Sequence, residues 1–312
     1  MALTAEQKDA YARKGFCVIP DLIDTTLLAT LREEYDAELR SPTSGFHNIA
    51  AARSSDASDK QAPEPGGEVM LQRINMCEVS MAFRRLLYND HMLDAAEELM
   101  SVTGCEPTGL QLYHDQALYK PAADKRAGTF GTFVTKDNSA FVHLHSTPCR
   151  GALSVVNHTC VPTGGNMQWH QDNAYWRCQP ANLLSCWIAL DDVSEDNGAL
   201  RMVPGSFTTG LEGIPMPSGH REDGDAYRRQ HIDPIFDVSK AETLAPLPAG
   251  GAVFHHCRCL HSSLPNRTDR QRRAIVVHLM ALGTAGADGL VFSSSWHRPI
   301  LRLRTSSGIA KL

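Results

Sequence analysis

From about residue 108 onwards, the sequence breaks into short runs of β-branched and aromatic residues separated by turn formers, and this pattern constrains the fold most strongly. Such an alternation is typical of antiparallel strands joined by short connections. The Asn-Gly pair within EDNGAL predicts the turn of a hairpin. Five runs carry the pattern: GLQLYHDQALYKP, NLLSCWIALDDV, GALRMVPGSF, GAVFHHCRCLHSS and RRAIVVHLMAL.

Upstream of residue 108 the periodicity is mainly helical. Thr4 and Gln7 stand at capping-box spacing, and Gly15 is placed to end the helix that they begin. Helices followed by many antiparallel strands favour a mainly β barrel or sandwich with flanking helices. Further elements predicted in this flank are a strand at 16–20 and helices at 24–39 and 81–101.

We predict a single domain over residues 1–312, with the helical flank at 1–107 and the β core at 108–312. Residues 41–68 are rich in Ser, Ala, Asp, Pro and Gly, a composition that indicates a surface loop. The segment 122–164 has no clear amphipathic pattern, and its two flanks would join naturally without it. It is therefore predicted to be an insert in the core.

The composition fits a globular protein, with 42% hydrophobic and 21% charged residues. A net charge of -5 gives no general basic surface for nucleic acid, and no apolar run approaches the roughly 20 residues that cross a bilayer. The nine cysteines are odd in number and form no CxxC pair, which favours free thiols in the reducing cytoplasm. The C-terminal Ala-Lys-Leu resembles peroxisomal targeting tripeptides, so the peroxisome is the alternative location.

The segment WHQDNAYW contains His170 and Asp172, two positions apart. On an extended segment, side chains at i and i+2 point the same way, so both could bind one ion. An imidazole and a carboxylate suit a first-row metal, and a second histidine would complete the two-histidine, one-carboxylate arrangement that binds Fe(II). The alternative is a strand with aromatic packing and two polar edge residues.

The segment 255–279 supplies the remaining groups. His261 is predicted to end one strand and Arg272 to begin the next, with turn formers between them. A hairpin would bring Arg272 back beside His261, where its guanidinium could hold a carboxylate in bidentate fashion. Metal ligands beside a carboxylate clamp are what a 2-oxo diacid cosubstrate requires, with its far carboxylate on Arg272 and the hydroxyl of Ser263.

These segments closely resemble the phytanoyl-CoA dioxygenase family of Fe(II)/2-oxoglutarate-dependent oxygenases. The resemblance rests on WHQDNAYW, NLLSCWIALDDVSEDNGALRMVPGSF and HSSLPNRTDRQRR, and extends to GFCVIPDLID and VMLQRINM. It implies a double-stranded β-helix, a cupin-like jelly-roll barrel with the iron inside one mouth. It also implies Fe(II), 2-oxoglutarate and O2 as cofactor and cosubstrates, with ascorbate as a supporting reductant in vitro.

The resemblance further implies roles for individual residues. His170, Asp172 and His261 match the iron ligands and are the expected catalytic residues. The presence of Asp172 implies oxygenation rather than halogenation, that is, hydroxylation of a small organic molecule such as an acyl-CoA or a secondary metabolite, with release of succinate and CO2. The residues expected to bind 2-oxoglutarate are Arg272, Ser263, Trp187, Gln116 and Arg73.

Several alternatives remain open in the sequence. His255, His256 and His278 could compete as ligands but lack the surrounding motif, so we interpret them as structural. Arg273 could replace Arg272 as the anchor, because strand alternation sends only one of them inward, and the spacing favours Arg272.

The insert at 122–164 replaces what the resemblance implies should be a short loop. It is interpreted either as a lid over the site or as an isoform or gene-model insertion. If it disturbs the barrel, the chain would be a catalytically impaired jelly-roll binding protein. A cupin-type metal enzyme that ignores 2-oxoglutarate is a further alternative, against which Arg272 argues. A second metal site within the insert would use His143, His145, His158 and Cys160.

Overall fold

A computed structural model describes most of the chain. The described residues are 2–49, 69–123, 132–134, 140–142, 165–208, 228–305 and 308–310. The hypothetical second metal site in the insert lies outside the described residues, as do the C-terminal Lys-Leu pair and most of the loop at 41–68 and of the insert itself.

The helical flank begins as the sequence predicts. The side chain of Thr4 accepts a hydrogen bond from the backbone N–H of Gln7, and the side chain of Gln7 accepts one from Thr4. Gly15 ends this helix at a φ of 84°, a left-handed conformation that costs glycine no steric strain. In the described part of the chain, no helix has the length and apolar character needed to cross a membrane. The flank contains α1 (Ala5–Lys14), α2 (Thr25–Arg40), α3 (Met81–Leu86) and α4 (Asp90–Val102).

The prediction of one helix over residues 81–101 is wrong, because α3 and α4 are separate. The side chain of Asn89 accepts a hydrogen bond from the backbone N–H of Met92 and so begins a new helix. Asparagine is a strong N-cap residue, and here its local hydrogen bond interrupts an otherwise helical pattern.

The strands form two main sheets. The large sheet has the order β1-β11-β8-β13-β4-β14-β15, with β3 also paired to β4 and β2 to β3. The small sheet has the order β10-β9-β12-β7, and β5 pairs with β6 separately. The bounds are β1 (Phe16–Ile19), β2 (His47–Asn48), β3 (Leu71–Ile74), β4 (Gly109–Lys120), β5 (Thr132–Val134), β6 (Ala140–Val142), β7 (Met167–His170), β8 (Leu183–Ala189), β9 (Leu200–Met202), β10 (Glu242–Thr243), β11 (Ala252–His256), β12 (His261–Ser263), β13 (Arg272–Ala281), β14 (Ile300–Thr305) and β15 (Gly308–Ala310).

The two faces of the large sheet pack against different partners. On β13, Ile275, Val277 and Leu279 belong to a hydrophobic cluster with residues of α1, α2 and α4. Ala274 and Val276, which alternate with them, belong to a second cluster that includes residues of β9 in the small sheet. One face therefore carries the helices, and the other, called the inner face below, meets the small sheet. The expectation of a mainly β core with flanking helices is confirmed.

The predicted hairpin at the Asn-Gly pair is wrong, although the turn exists. Asn197 ends a short 3-10 turn, and Gly198 follows it at a φ of 105°. This turn connects β8 in the large sheet to β9 in the small sheet. The chain thus crosses between layers instead of folding back within one, as jelly rolls do.

The run GAVFHHCRCLHSS is two strands rather than one. β11 ends at His256 in the large sheet, and β12 begins at His261 in the small sheet, so His261 begins a strand instead of ending one. The predicted hairpin from His261 to Arg272 is wrong for the same reason, because β12 pairs with β7 and β9 while β13 pairs with β4 and β8. Arg272 therefore lies on the inner face of the large sheet, whereas His261 lies in the small sheet opposite it.

Candidate metal centre

His170 and Asp172 lie where β7 ends and a short helix, α5 (Asp172–Trp176), begins. The expectation that both residues sit on a strand is wrong for Asp172, which is the first residue of α5. Gln171 between them is extended, with φ of −119° and ψ of 135°, so the two side chains still point the same way. One extended residue, Gln171, is therefore enough to bring both side chains of the HxD motif to the same side.

Three ligand atoms converge at this point. His170 and His261 lie directly opposite each other in the β7–β12 pairing, which brings their ring centroids to 4.1 Å. Oδ1 of Asp172 lies 3.7 Å from Nε2 of His170 and 3.7 Å from Nε2 of His261. The three ligand atoms all lie within 4.8 Å of one another, which is close enough for one ion to bind them together.

The backbone fixes how both imidazoles present themselves. Nδ1 of His170 lies 2.8 Å from the carbonyl oxygen of Gln168, and Nδ1 of His261 lies 2.9 Å from that of Cys259. A carbonyl only accepts, so each Nδ1 carries the proton and each Nε2 keeps its lone pair for a metal. Two imidazole nitrogens and one carboxylate oxygen form a donor set that suits Fe(II).

Asp172 is ionised in this setting. Burial favours the neutral acid, but the charge that the surrounding histidines carry when protonated, His261 and His255 foremost, outweighs burial and lowers the pKa of Asp172 below its ordinary value. The centre therefore offers a negative charge to a cation.

The second oxygen of Asp172 is held by a chain of polar side chains on the inner face. Oγ of Ser185 donates to Oδ2 of Asp172 at 2.7 Å, and Oγ of Ser185 also lies 2.7 Å from Nδ1 of His278. Nε2 of His278 lies 3.0 Å from the amide nitrogen of Gln116, and the amide oxygen of Gln116 accepts from Gln72. We call Gln72, Gln116, His278 and Ser185 the orienting array.

The orienting array has a single consistent direction. An ionised carboxylate only accepts, so Ser185 spends its one proton on Asp172, and Nδ1 of His278 must donate to Ser185. Burial lowers the pKa of His278 well below its usual range, so the ring is neutral and Nε2 accepts from Gln116. Every hydrogen bond in the array thus points towards Asp172.

His255, which the sequence offered as a possible competing ligand, is a neighbour of the centre. Its Nδ1 lies 3.8 Å from Oδ2 of Asp172, and its ring centroid is 4.5 Å from that of His261. Burial lowers the pKa of His255 to about 3, so the ring is neutral. Its position follows from alternation, because Phe254 before it packs on the helix face and the next residue on the inner face is His255.

Arg272 is a buried cation on the inner face. Only 1% of it is exposed, its guanidinium carbon lies 5.3 Å from the ring centroid of Trp187, and burial lowers its pKa to about 10. Its Nε and Nη1 find no hydrogen-bond partner among the described residues. A charge buried in this way is costly unless an anion meets it, so Arg272 fits a ligand carboxylate.

Arg273 points the other way. It donates to Asp191 at 2.6 Å and to Asp36 of α2 at 2.9 Å, on the helix face of the sheet. The structure thus places Arg272 inward and Arg273 outward, as the spacing indicated.

Ser263 lies near both the metal ligand His261 and, through Lys120, Arg272. It lies two residues after His261 on β12, and its Oγ accepts a hydrogen bond of 2.8 Å from Nζ of Lys120. Lys120 is fully buried and lies directly opposite Arg272 in the β4–β13 ladder. Lys120 was missed in the sequence, although it lies four residues after Gln116 and so on the same face of β4.

Two expected cosubstrate contacts have other partners in the structure. The amide of Gln116 belongs to the orienting array. Nη1 of Arg73 lies 3.0 Å from Glu38 of α2, and Arg73 is opposite Ala117, which packs on the helix face. The structure therefore brings Arg272 and Trp187 to the inner face, with Ser263 bonded to Lys120 from the small sheet, and leaves Arg73 on the helix face.

Two facing sheets that hold two histidines and one carboxylate beside a buried arginine define the class of non-haem iron proteins with a two-histidine, one-carboxylate site. The sequence profile of the phytanoyl-CoA dioxygenase (PhyH) family matches residues 11–274. The chain belongs to this family, and the resemblance stated from its motifs is confirmed.

Two named relatives above 30% identity match less than half of the chain. A probable alpha-ketoglutarate-dependent hypophosphite dioxygenase of Stutzerimonas stutzeri is 35% identical over 130 residues, 41% of this chain and 42% of that protein. Phytanoyl-CoA dioxygenase domain-containing protein 1 of Mus musculus is 34% identical over 142 residues, 44% of this chain and 45% of that protein. These matches span less than half of each relative's length.

Solved structures match almost the whole chain. The alpha ketoglutarate dependent carbocyclase SnoK from nogalamycin biosynthesis has a TM-score of 0.65 at 18% identity, with 96% of each chain covered. At this identity the likeness shows the fold alone, and the expected jelly-roll class is confirmed.

Proposed function

We propose that this protein is an Fe(II)/2-oxoglutarate-dependent oxygenase that hydroxylates a small organic substrate and releases succinate and CO2. The observation that carries the proposal is the buried guanidinium of Arg272, whose Nε and Nη1 find no hydrogen-bond partner among the described residues. It lies on the inner face that also bears the array behind Asp172. A metal site alone would not need such a cation, whereas a diacid cosubstrate would.

The residues fit both groups. His170, Asp172 and His261 would hold Fe(II) through Nε2, Oδ1 and Nε2, the atoms that converge. Arg272 would hold the far carboxylate of 2-oxoglutarate, with Ser263 as its hydroxyl partner. When bound, the iron would activate O2, the oxidant that couples decarboxylation of 2-oxoglutarate to oxidation of a substrate C–H bond.

The chain's own residues position and shield these groups. Because Oγ of Ser263 accepts from Lys120, its own O–H remains to donate to the cosubstrate carboxylate. Trp187 covers Arg272 and keeps water from its charge, which strengthens a carboxylate contact there. The orienting array holds Asp172 with Oδ1 towards the two histidines.

Succinate release tests the proposal. The protein, given Fe(II), ascorbate, O2 and 2-oxoglutarate, should release succinate slowly without substrate and faster with it. Asp172→Ala should abolish iron binding and succinate release together. The proposal fails if wild-type protein binds Fe(II) yet neither binds nor consumes 2-oxoglutarate, or if Asp172→Ala leaves turnover unchanged.

A further inference from the structure

A cavity of about 420 Å³ opens at the C-terminal end of α5, with Trp176 in its wall. This is within the range of small-molecule sites. Its wall combines aromatic rings with a cation and an amide, in the residues Ile74, Asn75, Tyr113, His114, Trp176, Ser295, His297 and Arg298.

The cavity shares its wall with the orienting array. The rings of His114 and Trp176 both pack on His278, at centroid distances of 4.5 Å and 4.6 Å. Trp176 ends α5, the helix that Asp172 begins, and Tyr175 before it approaches the ring of His170 at 6.0 Å. The short helix α5, whose first residue is Asp172, thus leads from the cavity to the metal centre.

Arg298 is a fixed cation in this wall. Its guanidinium carbon lies 4.8 Å from the ring centroids of Tyr113 and of Phe292, and its Nε donates to the carbonyl oxygen of Tyr113 at 3.2 Å. The remaining guanidinium N–H groups make no ion pair with a carboxylate in the described part of the chain. Two aromatic rings thus hold a charge in place without neutralising it.

Asn75 adds a second polar group. Its backbone has a φ of 60°, a left-handed conformation that is uncommon outside glycine, and its backbone N–H donates to Asp115 at 2.7 Å. This hydrogen bond holds the turn at the end of β3, from which Asn75 lines the cavity.

We propose that this cavity is the recognition pocket for the primary substrate, and that the substrate carries an anionic group, a carboxylate or a phosphonate, bound by Arg298. The inference rests on the proposed function and names its substrate class. The carbon skeleton packs against Tyr113 and Trp176 and extends along α5 towards His170.

The test uses small aromatic anions as probes. The anaerobic protein with Fe(II) and saturating 2-oxoglutarate is titrated calorimetrically with benzoate, phenylphosphonate and neutral benzamide. We expect at least one anion to bind and benzamide to bind more weakly. Arg298→Gln should weaken anion binding by about tenfold or more, because a charged hydrogen bond is lost, whereas Arg298→Lys should keep part of it.

Arg84 provides the matched control. Its guanidinium carbon lies 3.9 Å from the ring centroid of Trp296, which is two residues before Arg298. Arg84 itself does not line the cavity. Arg84→Gln should leave anion binding unchanged. The inference is overturned if neither anion binds, if benzamide binds as tightly, or if Arg298→Gln has no effect.

The failure of this inference is distinguishable from that of the proposed function. Arg84→Gln should leave 2-oxoglutarate binding and substrate-free succinate release unchanged. Loss of 2-oxoglutarate binding in Arg298→Gln would assign Arg298 to the cosubstrate and overturn the inference. If wild-type protein does not bind 2-oxoglutarate, the proposed function fails. The same titrations on iron-free protein then still decide whether Arg298 binds anions.

Discussion

The hydroxyl of Ser185 donates a 2.7 Å hydrogen bond to Oδ2 of Asp172, and this leaves Oδ1 as the oxygen that faces both His170 and His261. The carboxylate is thereby set for monodentate binding of a metal. Groups that orient a metal ligand in this way contribute to affinity although they never touch the ion.

Ser185→Ala should therefore weaken Fe(II) binding by about 10- to 100-fold, the usual cost of losing such a contact. Metal titration of the purified variant measures this effect. Ser262→Ala is the matched control, because Ser262 is also buried and adjoins His261 but points to the other face of β12. Equal Fe(II) affinity in the two variants would show that Ser185 does not orient Asp172.

Gln116 gives a test of how far the array extends. If Gln116 acts by fixing the tautomer of His278, Gln116→Leu should lower Fe(II) affinity by a smaller factor than Ser185→Ala and leave the KM for 2-oxoglutarate unchanged. A raised KM with normal Fe(II) affinity would instead restore the direct cosubstrate contact that the sequence led us to expect. Measuring both quantities on one variant separates the two roles.

The sequence predicted the chemistry of the centre better than its architecture. His170, Asp172 and His261 were identified by residue type and spacing, which depend on what a metal needs. The connection from His261 to Arg272 was predicted as a hairpin, yet the two residues lie in opposite sheets. Spacing along the chain cannot distinguish a hairpin from a crossover, because both need a short polar turn.

Long-range partners were beyond the reach of the sequence. Ser185, His255 and Lys120 surround the centre only because three strands of the large sheet present the same face. Arg73 shows the reverse case, since its register opposite Ala117 sends it to Glu38 on the helix face. Strand alternation gives each residue's face relative to its neighbours, but which face is the inner one depends on packing.

Arg272 and Arg273 should respond in opposite ways to the same change. Arg272→Met should weaken 2-oxoglutarate binding by about 100-fold through loss of a bidentate contact, while Fe(II) binding is retained. Its Tm without 2-oxoglutarate should stay the same or rise, because an uncompensated buried charge is removed.

Arg273→Met should bind 2-oxoglutarate normally and lose about 1–3 kcal/mol of unfolding free energy, since Asp191 and Asp36 would be left without their partner. Anaerobic cosubstrate titration and thermal unfolding of both variants provide the comparison. The reverse pattern would make Arg273 the anchor.

Stability should decrease on mild acidification because buried histidines resist protonation. Burial lowers the pKa of His114 to about 4 and that of His256 to about 4, below the 6.5 of an exposed histidine. Between about pH 4 and pH 6.5 the unfolded chain binds more protons than the folded one. The free energy of unfolding is therefore highest above about pH 6.5 and falls as the pH approaches 4. Each histidine contributes up to about 1.4 kcal/mol per pH unit.

Urea unfolding across this pH range should show the decline in unfolding free energy. His114→Phe, which keeps a ring against His278, should reduce the slope of that decline. A slope unchanged by His114→Phe would mean that His114 is not buried in its neutral form.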